Sequence, residues 1–312
     1  MNKKISLNLT EAALTQGLVC VNSGGRSARA VLSEALTSYA AGYKPSNVRG
    51  VREFIAPTVS SPERFEYQVL GKGSFLTEKD VVRSIGGDFK RIEWSPDKTL
   101  AQTLEKGLTM RIDRRERTDN CEEEAVEYLI NRLDRIDLVS AYNMLAAAAG
   151  AATAKKWTGA DKTPPDTDIK RLLETMAGKK GVRGNRVLVG SAADMLRSDY
   201  YEQSANNSAA ANYTPEEMAK KWGVERVHIL VEMIQDAEGL KNAGDSSAVI
   251  AFFAQDAASR WDASTLKTFT SGESGEFAVF REEVPTGLDI TVWHSNVIVN
   301  TMASGAAAIT AS

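Results

Sequence analysis

The stretch "KTLAQTLEKGLTMRIDRRERTDNCEEEAVEYLINRLDRIDLV", Lys98 to Val139, decides how the chain is to be read. Its first part alternates. Leu104, Leu108, Met110 and Ile112 fall on one side, and Thr103, Glu105, Thr109, Arg111 and Asp113 on the other, the period of a strand with one apolar face. Its second part changes period. Asn120 is placed to cap a helix, with Glu123 as its reciprocal partner and Glu122 to Glu124 at the positive end of the dipole. Val126, Leu129, Ile130, Leu133 and Ile136 then follow helical spacing, and the pattern runs on through Tyr142 and Leu145 towards Trp157. Unbroken, about 35 residues would make a rod of roughly 50 Å; Gly150 is the position at which it would kink or stop. The stretch offers no nucleophile, metal cluster or phosphate loop.

Upstream, "RFEYQVLG" alternates in the same way, with Phe65, Tyr67 and Val69 on one face and Glu66 and Gln68 on the other. Between the two alternating limbs lie the turn-forming stretches "GKGS", "SIGGD" and "SPD". From about Ser60 to Arg114 the chain therefore reads as one extended β-arm. A two-stranded ribbon is marginal alone in water, so its apolar face must lie on something. A neighbouring subunit is suited to receive it, the apolar face giving affinity and the charged face register. Repeated around a closed symmetry, such an arm builds a ring or shell. Residues 1–50 are small and polar, with "NSGGRSARA" and "AGYKPSN" flanking a short helical "AVLSEALTSYA", and read as an arm with little core.

Beyond the long helix and a "GADKTPPDTD" linker, helices and strands alternate. "DIKRLLETMAG" and "SAADMLRS" read as helices around the buried strand "NRVLVG", and "SANNSAAANY" as a polar loop. "TPEEMAKKWG" carries a capping box at Thr214 and Glu217, proline in the first turn and a closing Gly223. "VERVHILVEMIQ" and "SSAVIAFFAQ" read as strands, making 166–254 a compact α/β unit. The tail from Glu276 onwards supplies two or three strands expected to return to the long helix.

The 312 residues are 43% hydrophobic and 25% charged, an ordinary globular composition with ample material for a core. A net charge of -3 argues against affinity that depends on neutralising phosphates, though not against enclosing nucleic acid. The two cysteines, Cys20 and Cys121, have neither the spacing of a zinc site nor that of a disulfide framework, and suit a reducing compartment. Near the start, Asn8, Glu11 and Gln16 break the apolar run and Val19 is too large for a cleavage site, so a secretory signal is not expected. No stretch is long enough to span a membrane.

Chemistry-bearing residues are sparse. His228 in "RVHILV" and His294 in "TVWHSN" sit on strands and read as structural. Ser274 in "SGESGE" lacks the final glycine of a nucleophile elbow, Glu276 standing there, and no strand leads into it. "GKGS" and "SIGG" lack the lysine-serine ending of a phosphate loop. Helix capping accounts for Glu122 to Glu124, and a strand–helix junction or subunit salt bridge for "DRRER". No catalytic residue, cofactor or metal is expected.

The series "VVRSIGGDFKRIEWSPDKTLAQTLEKGLTMRIDRRER" running into an acidic helix start resembles the tailed-bacteriophage major capsid proteins. The matching features are Arg83, Gly86 and Gly87, then Lys90, Arg91, Ile92 and Trp94, then Gly107 through Asp113. "PPDTDIKRLLETMAGKKGVRGNRVLVGSAADMLRS" and "YTPEEMAKKWGVERVHIL" resemble that family's later helices and strands, in the same order, so the resemblance covers roughly residues 60–300. It implies an α+β chain with the Hong Kong-ninety-seven-type capsid fold. The parts would be an N-terminal arm at 1–51, an extended β-loop at 52–116, a spine helix of the peripheral domain at 117–162, an axial domain at 163–254 and closing strands of the peripheral domain at 255–312.

By the same resemblance, Phe65, Tyr67, Arg91, Trp94, Lys106, Met110 and Arg111 of the extended loop would make inter-subunit contacts. Asn206, Asn207 and Asn212 would lie in the loop at the capsomer axis. Some relatives crosslink a lysine of this loop to an asparagine of a neighbour; Lys98 with Asn296 or Asn300 has the right residue types. An N-terminal segment of about 50 residues is shorter than a fused scaffolding prefix, which implies a separate scaffolding protein or a processed chain. The implied function is self-assembly as hexamers and pentamers into the icosahedral head of a phage, assembled in the bacterial cytoplasm, with a portal as further partner and DNA enclosed without sequence-specific binding. An encapsulin-like compartment shell, a cytosolic α/β enzyme with an unrecognised site, and a phage tail or adaptor protein are the alternatives.

Overall fold

The computed structural model describes residues 31–43, 47–70, 97–204, 208–236, 239–272, 277–302 and 305–312. In chain order the elements open with β1 (Val31–Leu32), α1 (Glu34–Gly42), α2 (Val48–Ile55), β2 (Thr58–Ser60), β3 (Arg64–Val69), β4 (Asp97–Gln102), β5 (Leu104–Asp113) and α3 (Cys121–Ala149). They continue with β6 (Thr153–Lys155), α4 (Pro165–Lys180), β7 (Arg186–Gly190), α5 (Ser191–Glu202), a 3-10 turn (Ser208–Asn212), α6 (Pro215–Trp222), β8 (Arg226–Leu230), β9 (Met233–Asp236) and β10 (Gly239–Asn242). The last are β11 (Ala248–Phe252), β12 (Leu266–Thr270), β13 (Ala278–Val284), β14 (Gly287–Asn300) and β15 (Ala306–Ala311).

Helix α3 is the axis on which two sheets are hung. Its 29 residues end at Gly150, whose φ of 74° a side chain would resist, so the rod is about 43 Å long and stops short of Trp157. Its capping differs from the sequence expectation. Asn120 makes no side-chain capping bond, and Glu122 is drawn instead to Arg281, 3.1 Å away, and to Arg117. The first half of α3 buries Val126, Leu129, Ile130 and Leu133 against α1 and against Leu288, Ile290 and Val292 of β14. The second half buries Leu138, Ala141, Tyr142 and Leu145 against α2 and one face of the second sheet.

The six-stranded sheet has the order β1-β13-β14-β12-β2, with β5 also paired to β14. Strand β14 is its centre: over Gly287–Trp293 it is flanked by both β13 and β5, and its last five residues pair with β12. The five-stranded sheet runs β6-β15-β11-β7-β8. Every residue of β7 and β11 is buried, because alternate side chains serve two cores. Leu188, Ile250 and Phe252 face α3, whereas Val187, Val189, Val249 and Ala251 face α4 and α6 with Trp157 and Trp222. The capping box of α6 forms as the sequence predicts: Glu217 N–H donates to Thr214 Oγ1 at 3.3 Å and Thr214 N–H to Glu217 Oε2 at 2.8 Å.

Close backbone approach fixes Gly190 between β7 and α5. A Cβ there would meet the Ser246 carbonyl oxygen at 2.2 Å, and backbone cannot step aside as a side-chain tip can. Gly190→Ala is expected to cost about 1–3 kcal/mol by overpacking, read as a lower melting temperature with the same far-ultraviolet circular dichroism.

Several segment boundaries expected from the sequence are corrected. The arm read as continuous from Ser60 to Arg114 divides: β3 pairs with β4, whereas β5 leaves the ribbon and pairs with β14 from Leu104↔Asn296 to Asp113↔Gly287. Residues 48–60, given partly to the arm and partly to the loop, belong to the body. Val51 and Ile55 of α2 are buried against α3, and β2 pairs in parallel with β12. The closing strands divide between the two sheets, β15 lying between β6 and β11 in the five-stranded sheet, and they return to the long helix as expected, Ala306 and Ala308 packing with Leu138 and Leu145. "SANNSAAANY" is not wholly an open loop: Ala210 and Ala211 pack on Tyr201.

Candidate assembly surface

The ribbon has two unlike faces. On one, Phe65 is 4% exposed and packs its ring, tilted, 4.3 Å from that of Phe269 of β12, with Tyr67 6.2 Å from the same ring. Val59, Val299 and Ala101 complete that cluster. The apolar face expected to meet a neighbour is therefore, at its base, laid on its own chain. Phe65 is an internal anchor rather than a contact residue, and Tyr67 is half-buried. The other face carries Glu66 opposite Leu100, and Gln68 opposite Lys98. Lys98 pairs with Glu66 at 3.4 Å, and Leu100 stands 73% exposed between charges. Arg91 and Trp94 lie outside the described residues.

Strand β5 presents a second surface. It pairs on one edge only, so that among the described residues its other edge is open over ten residues. It contains no proline, and a long unpaired edge is a template for another chain. Leu104 is 58% and Met110 37% exposed on the face where Ile112 is buried against α3. On the opposite face Arg111 donates two 2.7 Å bonds to Asp289 and Thr109 meets Thr291, both cross-strand pairs that fix register with β14. The Arg111 hydrogen bonds hold the Asp289 carboxyl below its ordinary range. Gly107 lies beneath Trp293, where a Cβ would come within 2.8 Å of the Trp293 Cβ.

Behind this edge lies a buried charge cluster. Asp134 and Asp137 fall on the buried stripe of α3, both fully buried, while Ile136, read as core, is 49% exposed. Arg49 reaches Asp134 with two bonds at 3.2 and 3.3 Å. Asp137 accepts Lys106 Nζ at 2.7 Å and Asn296 Nδ2 at 2.6 Å, with Arg52 Nη1 at 3.9 Å and His294 Nε2 at 3.6 Å. Burial alone would raise the Asp137 pKa, but His294, Lys106 and Asn296 together hold it below the ordinary carboxylate value. One carboxylate thus ties α2, β5 and β14 to α3. Lys106, expected at a subunit contact, faces inward and is spent on this clamp.

Sequence reasoning missed α2 and this cluster. Two aspartates three residues apart on an otherwise apolar stripe were the available signal. Asn296 is fully buried on Asp137, which removes it as a partner for a neighbour's lysine, and Asn300 accepts the Met302 N–H. Asn212 is exposed at the end of the 3-10 turn, and Asn206 and Asn207 lie outside the described residues. His294 is buried, stacked on Phe277 at 4.8 Å. His228 is half-buried, 3.6 Å from Glu232. Ser274 lies outside the described residues, though β12 does end four positions before it. Among the described residues no helix is long and apolar enough to cross a membrane, and no group of three acidic, histidine or cysteine side chains is placed to hold a metal.

No family model matches the chain, and no curated protein matches it. Solved structures do. A phage-related protein from Bordetella bronchiseptica RB50 superposes with a TM-score of 0.65, covering 89% of this chain and 96% of its own, at 16% identity. A chain of the bacteriophage PhiM1 mature capsid gives 0.50, covering 94% and 90%, at 12% identity. One from the capsid of cyanophage P-SCSP1u gives 0.50, covering 82% and 85%, at 12% identity. At such identities the common property is the fold: this chain has the mixed helix-and-sheet fold of phage capsid proteins.

Proposed function

We propose that this chain is the major capsid protein of a tailed phage, assembling as hexamers and pentamers into an icosahedral head that encloses double-stranded DNA. The observation that carries this reading is the ten-residue edge of β5, open among the described residues and continuous with a ribbon whose outer face exposes Leu100, on a fold shared with phage capsid chains. In a lone subunit such an edge is a liability; in a closed shell each copy receives its neighbour's. The extended loop then comprises β3, β4 and residues 71–96. The axial unit is the five-stranded sheet with α4 to α6, and the peripheral unit is α3 with the six-stranded sheet. Inter-subunit contact is assigned to the exposed Leu100, Leu104, Met110, Arg111 and Asn212, and by the sequence resemblance alone to Arg91, Trp94, Asn206 and Asn207. Assembly takes place in the host cytoplasm with a separate scaffolding protein and a portal, and the role is structural rather than enzymatic.

Electron microscopy of the purified full chain tests this. Closed shells curved in two directions are expected. A discrete low-order oligomer would favour a cytosolic enzyme, and flat rings or tubes a tail or adaptor protein. Nuclease-protected DNA inside particles from infected cells supports the phage head, whereas a packaged enzyme would mark an encapsulin-like compartment.

A further inference from the structure

On the side of the molecule formed by α4, α5, the 3-10 turn and α6 lies a cavity of about 420 Å³, within the size range of small-ligand sites. Its wall includes Lys170, Lys221, Tyr200, Tyr201, Tyr213 and Ser204, with Asp166 at the base. Among the described residues neither Lys170 nor Lys221 has a carboxylate within ion-pair reach. Directly behind the wall sits Arg197, with no exposed surface at all. Its Nε donates to Asp166 Oδ1 at 2.9 Å, an oxygen that also accepts Trp222 Nε1 at 3.0 Å, while Nη1 and Nη2 have no hydrogen-bond acceptor among the described residues. The rings of Tyr201, Trp222 and Tyr213 enclose the guanidinium at 5.2, 5.7 and 5.8 Å. They offer it π-faces but no lone pairs. Burial and the neighbouring Asp166 raise the Tyr201 pKa, keeping that hydroxyl a donor.

The donor and acceptor balance is one-sided. Lys170, Lys221 and Arg197 outnumber the two carboxylates that act on them, Asp166, whose Oδ1 already takes two donors, and Asp194, whose charge bears on Arg197. The remaining polar groups of the wall are mainly hydroxyls that can donate. A cavity with surplus donors and net positive charge selects a ligand rich in acceptors and negatively charged. A buried arginine with two idle nitrogens is costly unless the field it creates is used. We propose that this cavity is a phosphate-binding site, Lys170 and Lys221 taking the oxyanion at the mouth and Arg197 supplying fixed positive charge from behind the wall. The phosphate can belong to a free phosphomonoester or to a nucleic-acid backbone. The site lies away from the ribbon and the β5 edge, but Ala209, Ala210 and Tyr213 of its wall border the segment assigned above to inter-subunit contact, so binding is read on the unassembled chain.

Calorimetric titration of the full chain with orthophosphate, at constant ionic strength set by chloride, tests it. Saturable binding near one phosphate per chain is expected, weakened about tenfold or more in the Lys170→Gln/Lys221→Gln double variant. Both lysines are exposed, so the variant should keep the wild-type melting temperature without phosphate. Absence of binding at millimolar orthophosphate would overturn the proposal, as would equal binding by the folded variant. A short single-stranded oligonucleotide that displaces orthophosphate would identify the backbone as the source. Failure to displace it would identify a free phosphate compound, and either result leaves the site standing.

Discussion

Asp137→Ala is expected to lower stability by about 3–5 kcal/mol, the cost of stranding buried charges whose partner is gone. The carboxylate is fully buried and takes Lys106 at 2.7 Å and Asn296 at 2.6 Å, with the equally buried Arg52 at 3.9 Å and His294 at 3.6 Å. Removing it leaves the Arg52 cation in the core with less compensation and frees Lys106, and with it the base of β5. Lys106→Met should cost less, because Lys106 is partly exposed and Asp137 keeps Asn296 and Arg52. Chemical denaturation of the unassembled subunit measures both. The difference should also depend on pH. The folded pKa of Asp137 lies below its unfolded value, so its contribution is fully present above about pH 4. It is lost as pH falls through the folded value. Wild type and Asp137→Ala should therefore converge in acid; a gap that stayed constant down to pH 2 would contradict the clamp.

The second large effect concerns assembly. Replacing residues 71–96 by a short Asn-Gly turn should abolish shells while leaving a folded body. Val69 and Asp97 already face each other in antiparallel register, so a tight turn can close the ribbon there. Leu70, hydrogen-bonded to the Thr301 carbonyl, is kept. The deletion must stop before Leu104, because β5 belongs to the six-stranded sheet and its loss would uncover Leu288, Ile290 and Val292. Loss of particles by light scattering with an unchanged melting transition is the expected pair of results. Intact particles from this variant would show that the segment does not join subunits.

Much of the architecture was legible because local chemistry and tertiary role agree. Thr214, Pro215, Glu217 and Gly223 specify α6 without reference to any neighbour. The unbroken apolar runs of β7 and β11 announce strands covered on both faces. Partner choice was less legible. The alternation of Leu104 to Ile112 identifies β5 as a strand, but β4 and β14 are equally acceptable partners by pattern, and the decision rests on Gly107 fitting beneath Trp293 and Arg111 reaching Asp289. Likewise "GAAAITA" reads as a strand, while its place beside β11 depends on small residues fitting between two cores. Helix α2 escaped notice because Arg49 and Arg52 interrupt its apolar residues, and both become intelligible only opposite Asp134 and Asp137. For the extended loop, alternation gave the residue types on each face but not which face the body covers: Phe65 and Lys106 turn inward, and Leu100 turns out.

Hydrogen exchange of residues 97–113, compared between assembled particles and dissociated subunits, tests most directly whether another copy completes the surface built by β4 and β5. Amides of this span should exchange much more slowly in the particle, since an open edge and the exposed face around Leu100 become covered. Equal exchange in both forms would mean that no neighbour rests there, and the account of how this chain closes a shell would be wrong.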